Sequence, residues 1–265
     1  MKHRLLTLIF TICILSLAAC GGETLPAKEP DPPQPAETPA EPVSPEESPA
    51  EDAQPETLPP LVGTPLTEEE LAQVNGAFDY SQPGEADQEK KLERSCFFTS
   101  SYEDVTELNL EEFLRYYSNG SSTLEDEDAE EFQALAALPD FPYDAEALET
   151  WENRPGGLPV PVHRIPREAV DQTLETYAGI TTADLKNTKG ILYLPDYDSY
   201  YNFTSDFGPG WFAAAEGARD GDTVRLRSEV SWWGDGGETV RELTLREKDG
   251  RWLIQSFTVH PTGSD

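Results

Sequence analysis

Three spacings of apolar residues succeed one another along the chain. Leu5 to Ala19 (LLTLIFTICILSLAA) is an unbroken apolar run behind a basic start, Met1-Lys2-His3-Arg4. From Gly21 to Leu66 almost no bulky apolar residue recurs at any period. From Thr67 onward apolar residues return at helical spacing. Thr67-Glu68-Glu69-Glu70 reads as a capping box, with Leu71, Val74 and Phe78 on one stripe behind it. Asn109 caps a second pattern, in which Leu110, Phe113, Leu114 and Tyr117 fall at i, i+3, i+4 and i+7. The acidic run STLEDEDAEEFQALAAL carries Phe132, Leu135 and Leu138 and predicts a helix with a solvated start, its early acids suiting the helix dipole. The stretch NRPGGLPVPVHRIP is broken by Pro and Gly. Pro166 then opens a further helix with Val170, Leu174 and Tyr177 on its stripe and Gly179 as its terminator.

The period then changes to two. Ile191–Leu194 (ILYL) predicts a short strand, and TVRLRSEVSWW a longer one with Val224, Leu226, Val230 and Trp232 on one face and Arg225, Arg227 and Glu229 on the other. Gly234-Asp235-Gly236-Gly237 turns the chain into ETVRELTLREK, and Asp249-Gly250 is a hairpin signal before RWLIQSFTV. Helices first and strands last predict an α+β fold, with a helical N-terminal part packed on a C-terminal antiparallel meander of about four to five strands.

Charge sharpens this division. The 265 residues carry a formal −32; the leader contributes +2 and residues 21–66 contribute −9, which leaves −25 on Thr67 to Asp265. That last stretch is long enough for one sizeable core, so residues 67–265 form a single globular domain. Its field repels polyphosphates and anionic headgroups, which argues against a nucleic-acid partner.

Residues 1–19 have the basic head and short apolar middle of a signal peptide, and the apolar run is shorter than the roughly 20 residues a spanning helix needs. Leu17-Ala18-Ala19-Cys20, followed by Gly21-Gly22, resembles the lipobox of bacterial lipoproteins. That resemblance implies that Cys20 receives diacylglycerol and becomes the mature amino terminus, placing the protein on the extracytoplasmic face of the cell membrane. Residues 20–66 then form a Pro/Glu-rich linker with 13 of the 23 prolines. It has too little apolar bulk to fold and would reach on the order of 140 Å if fully extended as polyproline II at about 3.1 Å per residue.

Candidate chemistry concentrates in Asp196 to Trp211, DYDSYYNFTSDFGPGW. As one extended strand it sets Tyr197, Tyr201, Phe203 and Phe207 against Asp196, Asp198, Asn202, Thr204 and Asp206. Tyr200 interrupts the polar side. An aromatic floor with a carboxylate rim suits a sugar or a Ca²⁺-assisted ligand, so Asp196, Asp198, Tyr200 and Asp206 are the candidate binding residues; an ordinary half-buried strand gives the same alternation. Glu125 to Glu131 (EDEDAEE) lacks the central Gly and spaced acids of an EF-hand and reads as a solvated acidic face. His163 and His260 show no zinc spacing, and Cys96 between Ser95 and Phe97 reads as a buried thiol. No GxSxG elbow, Walker loop or dinucleotide fingerprint is present, and no motif implies a cofactor or a metal.

At HRIPREAVDQTLETYAGIT and DYDSYYNFTSDFGPG the chain resembles uncharacterised lipoproteins of Gram-positive bacteria that share the lipobox, the Pro/Glu linker and a mixed domain ending in LREKDGRWLIQSF-like strands. The last two strands are also similar to the closing hairpin of NTF2-like domains, which are used for binding and sometimes catalysis. The reading that follows is an envelope binding or interaction module whose partner is an envelope protein or a glycan. A carboxylate-dependent envelope or glycan hydrolase and a purely structural docking module stay open beside it.

Overall fold

The computed structural model describes residues 58–78, 88–204, 210–232 and 237–262. In chain order the elements are β1 (Thr64–Pro65), α1 (Glu68–Phe78), α2 (Gln88–Ser95), α3 (Leu110–Arg115), β2 (Ser122–Thr123), α4 (Ala129–Ala136), α5 (Ala145–Thr150), β3 (Val162–Pro166), α6 (Arg167–Tyr177), β4 (Leu192–Leu194), β5 (Ser199–Phe203), β6 (Glu216–Asp220), β7 (Thr223–Arg227), β8 (Ser231–Trp232), β9 (Glu238–Lys248) and β10 (Arg251–Pro261). The fold is α+β, and five C-terminal strands form an antiparallel sheet. None of the described helices is long and apolar enough to cross a membrane.

The helix starts follow their caps. Thr67 N–H donates to Glu70 Oε2 at 2.8 Å while Glu70 N–H donates to Thr67 Oγ1 at 3.2 Å, a closed capping box. Asn109 Oδ1 accepts from the N–H groups of Glu111 and Glu112 and opens α3. At the other end of α6, Gly179 at φ 73 donates to Leu174 O, a left-handed stop that a residue with a Cβ would resist.

The larger sheet runs β1-β6-β7-β9-β10, with β8 also paired to β9. Asp249 and Gly250, at φ 52 and 71, give the two left-handed positions that a tight hairpin needs between β9 and β10. On β9 the inward set is Thr239, Arg241, Leu243 and Leu245, so Arg241 is fully buried in phase with the leucines, its guanidinium 3.9 Å from the Trp211 ring centre.

Two expectations about this sheet are corrected. TVRLRSEVSWW is not one strand: Arg227 faces Glu242 while Ser231 faces Thr239, so four steps on one side meet three on the other. The extra residue is a bulge, it reverses the in–out alternation, and Val230 is left 53% exposed instead of sharing the face of Val224 and Leu226. The Trp232 side chain and the turn at 233–236 lie outside the described residues. The linker boundary also moves. Thr64 and Pro65, which composition places in the linker, pair with Arg219 and Ala218 at the sheet edge, where proline's missing N–H is tolerated, and Arg227 Nη2 donates to Pro59 O at 2.7 Å.

A second sheet, β2-β3-β5-β4, takes its β3 from the Pro-rich stretch that the sequence reading leaves irregular. Neighbouring residues on β5 point to opposite faces, and both faces are covered. Tyr200 joins the larger buried cluster with Phe113, Ile165 and Leu174, whereas Tyr201 joins a smaller one with Leu124, Phe132, Leu135 and Val162.

Candidate functional site

The site begins where two strands part. β4 pairs with β5 only from Leu192↔Tyr201 to Leu194↔Ser199, while β5 continues along β3 as far as Phe203↔Val162. Gly190, at φ 77, turns the incoming chain away from β5. The space between the splayed strands and α3 is a cleft of about 420 Å³, within the range of small-ligand sites. Leu114, Ile191, Leu192 and Phe203 give it apolar walls; Glu111, Arg115, Asp140 and Asn202 are its polar groups.

Each polar group has a local reason for its place. Glu111 lies in the first turn of α3, set by the Asn109 cap, and a Cβ on Gly190 would come within 3.0 Å of its Oε2. Arg115, one turn on, donates to Glu112 Oε1 at 2.6 Å. Asn202 reaches across from β5 and donates through Nδ2 to the carbonyls of Leu114 and Arg115 at the end of α3, the first of which also accepts from the Tyr117 N–H at 3.1 Å. Its Oδ1 is buried and accepts no hydrogen bond from a described residue. Neither Glu111 nor Asp140 forms an ion pair with a described residue.

Behind this wall lies a charged network. Glu131 is 4% exposed; its Oε1 accepts from the Tyr201 hydroxyl at 2.6 Å and its Oε2 from Arg164 Nη1 at 3.0 Å, while Arg164 Nη2 lies 3.4 Å from Asp128 Oδ1. Burial and then the Glu131 carboxylate raise the Tyr201 hydroxyl far above its ordinary value, so it stays a donor. The acidic run is therefore not a wholly solvated face: Glu131 falls on the buried stripe of α4.

The residues picked out by alternation are placed elsewhere. Pro195–Tyr197 is a 3-10 turn and Asp198 is left-handed at φ 45, so the strand starts only at Ser199. Asp196 is exposed on that turn. Asp198 accepts both Nε and Nη2 of Arg167, at 2.7 and 3.0 Å, and the Tyr193 hydroxyl at 2.6 Å. Those donors, Arg167 first, lower its carboxyl below the usual range. Arg167 Nη1 also reaches Asp171, whose other oxygen accepts from Thr182, so this cluster fastens the turn to α6. Tyr200 is 8% exposed and packs on Tyr193 at 5.0 Å, inside the core and not on a polar rim. Asp206, Phe207 and Cys20 lie outside the described residues. None of Asp196, Asp198 and Tyr200 lines the cleft.

The remaining candidates behave as ordinary structure. His163 Nε2 lies 3.2 Å from Thr204 O, and His260 Nε2 lies 2.9 Å from Thr258 Oγ1 and 3.5 Å from Glu242. Among the described residues no group of three or more His, Cys, Asp or Glu is placed to hold a metal. Cys96 is buried, and burial, then Glu93, pushes its thiol up to about 12. Iodoacetamide at pH 8 is accordingly expected to leave Cys96 unmodified in the folded protein and to alkylate it fully in urea, as read by peptide mass spectrometry; prompt modification without denaturant would contradict the burial.

Glu111, Arg115, Asp140 and Asn202 carry no sequence signature, because three separate segments, α3, the stretch after α4 and β5, bring them together. No family model matches the chain, and no curated protein or solved structure matches it.

Proposed function

We propose that this chain is an extracytoplasmic lipoprotein, held on the outer face of the cell membrane by acyl chains on Cys20, whose folded part is a binding module at the cell envelope. The anchor is supported by Leu17-Ala18-Ala19-Cys20 behind a fifteen-residue apolar run. More than one acyl chain is needed for a stable hold, since a single chain binds membranes only marginally. The Pro/Glu-rich composition of residues 20–66 suits a spacer between the anchor and the folded part. The binding reading is carried by the α3 cleft: apolar walls with two carboxylates that no described side chain neutralises. We also infer that the helical front half closes over the C-terminal sheet, a reading supported by the Phe78–Trp252 and Phe98–Phe257 ring contacts at 6.2 and 5.1 Å.

A hydrolytic reading has one observation in its favour, that the same cleft holds both Glu111 and Asp140. Loss of all turnover of wall glycans in both Glu111→Gln and Asp140→Asn would favour it; ligand retention without turnover favours binding.

The anchor makes its own prediction. Cys20→Ala is expected to move the protein from the membrane to the soluble fraction or to stall the uncleaved precursor. An unchanged fractionation pattern, or a mature amino-terminal peptide without acyl mass, would overturn the lipoprotein assignment.

A further inference from the structure

We propose that Asn119 is a site of spontaneous deamidation, passing through a cyclic imide to aspartate and isoaspartate in the folded protein, whereas Asn75, in the same Asn-Gly dipeptide, is protected by α1. Water is the only co-reactant, and the site is separate from the cleft.

The backbone nitrogen of Gly120 attacks the side-chain carbonyl carbon of Asn119 and forms a new C–N bond. The amide nitrogen of that side chain leaves as ammonia, carrying off the proton that the Gly120 N–H gives up. Water then opens the imide at either carbonyl, its hydroxyl going to carbon and its proton to nitrogen, and the product is aspartate or isoaspartate. A following glycine favours the attack, because no Cβ crowds the nitrogen and the backbone turns freely. The chain has two such pairs, Asn75-Gly76 and Asn119-Gly120.

The fold treats the two pairs differently. Asn75-Gly76 lies inside α1, where backbone N–H groups are held by carbonyls four residues back. The Asn75 side chain is held as well, its Nδ2 donating to Ala214 O at 2.9 Å and its Oδ1 accepting from the Ala214 N–H at 2.7 Å. Attack there waits on local opening of the helix and loss of both bonds. Asn119-Gly120 lies instead in a turn between α3 and β2, closed by the Ser121 N–H on Ser118 O at 3.2 Å. Neither the Asn119 carbonyl nor the Gly120 N–H has a backbone partner among the described residues, so the peptide between them can rotate without breaking a backbone hydrogen bond. The Asn119 side chain lies against the Tyr117 hydroxyl and is not clamped on both its atoms as Asn75 is. Gly120 is also required where it stands: its φ is 66, and a Cβ there would come within 3.3 Å of Ala169 Cβ. A Cβ on Gly76 would meet nothing within 4 Å. The product adds a negative charge to the turn, and in isoaspartate the main chain runs through the former side chain, which lengthens the link from α3 to β2.

The test incubates the full chain in mildly alkaline buffer made with heavy-oxygen water, with and without urea, and follows both peptides by mass spectrometry. Expected in the folded chain is conversion at Asn119 at least about tenfold faster than at Asn75, with heavy oxygen incorporated and isoaspartate among the products. In urea the two sites should react at similar rates, because the dipeptide is the same. Asn119→Gln should abolish the fast conversion in the folded chain. Gly76→Ala should leave it unchanged, since alanine in the interior of α1 strengthens the helix. Circular dichroism confirms that both variants fold. Equal rates at the two sites in the folded chain, a faster Asn75, or an Asn119 that reacts only in urea would each overturn the proposal. Conversion without isoaspartate would overturn the route through a cyclic imide.

Discussion

Glu131→Ala is expected to destabilise the folded protein by about 3 kcal/mol, at the lower end of the range for breaking a buried ion pair. The carboxylate holds the Tyr201 hydroxyl at 2.6 Å and Arg164 at 3.0 Å. Without it, the hydroxyl is buried with no acceptor and the guanidinium, whose Nε already lacks one, keeps only Asp128 at 3.4 Å. The lower end applies because Arg164 is 28% exposed and water can reach part of it. Glu131→Gln retains the volume and one acceptor, so its cost should be about half as large. Urea denaturation of the two variants checks this; an Ala variant within about 1 kcal/mol of the parent would show that the network contributes little. Tyr201 also lines the cleft, so the Ala variant should bind any cleft ligand more weakly even where it remains folded.

Glu131 is only partly legible in the sequence. Glu131, Leu135 and Leu138 stand at i, i+4 and i+7, the spacing of the buried face, but the five other acids of Glu125–Glu131 point to solvent for the whole run. Where local chemistry decides structure, the reading holds. Capping at Thr67 and Asn109, the stop at Gly179 and the Asp249-Gly250 hairpin each need only a few adjacent residues. Alternation is weaker, because a period of two names two faces without saying which is wet. Ser199, Tyr200 and Tyr201 are all buried since β5 lies between two cores, and the second core depends on β3, hidden in a Pro-rich stretch. The cleft depends on strand divergence and on residues 111, 140, 190 and 202, whose proximity no spacing encodes.

Phe98→Ala has the largest expected effect, a loss of about 4 kcal/mol. The ring is fully buried where three parts of the chain meet: Phe78 of α1 at 6.2 Å, Phe212 before β6 at 5.8 Å and Phe257 of β10 at 5.1 Å. Collapse onto the cavity is hindered because the backbone there is already close. A Cβ on Gly210 would come within 2.0 Å of Phe98 O, so that segment has no slack with which to follow a smaller side chain. At about 2–4 °C per kcal/mol for a domain of this size, the midpoint should fall by roughly 10 °C. Phe98→Leu, which fills more of the space, should cost much less. The shape of the transition matters as much as its midpoint. If the helical front and the C-terminal sheet are one cooperative unit, far-ultraviolet circular dichroism and tryptophan fluorescence should shift together in Phe98→Ala. An early loss of helical signal, with the tryptophan transition unmoved, would mean that the front half unfolds on its own and that these ring contacts do not couple it to the sheet.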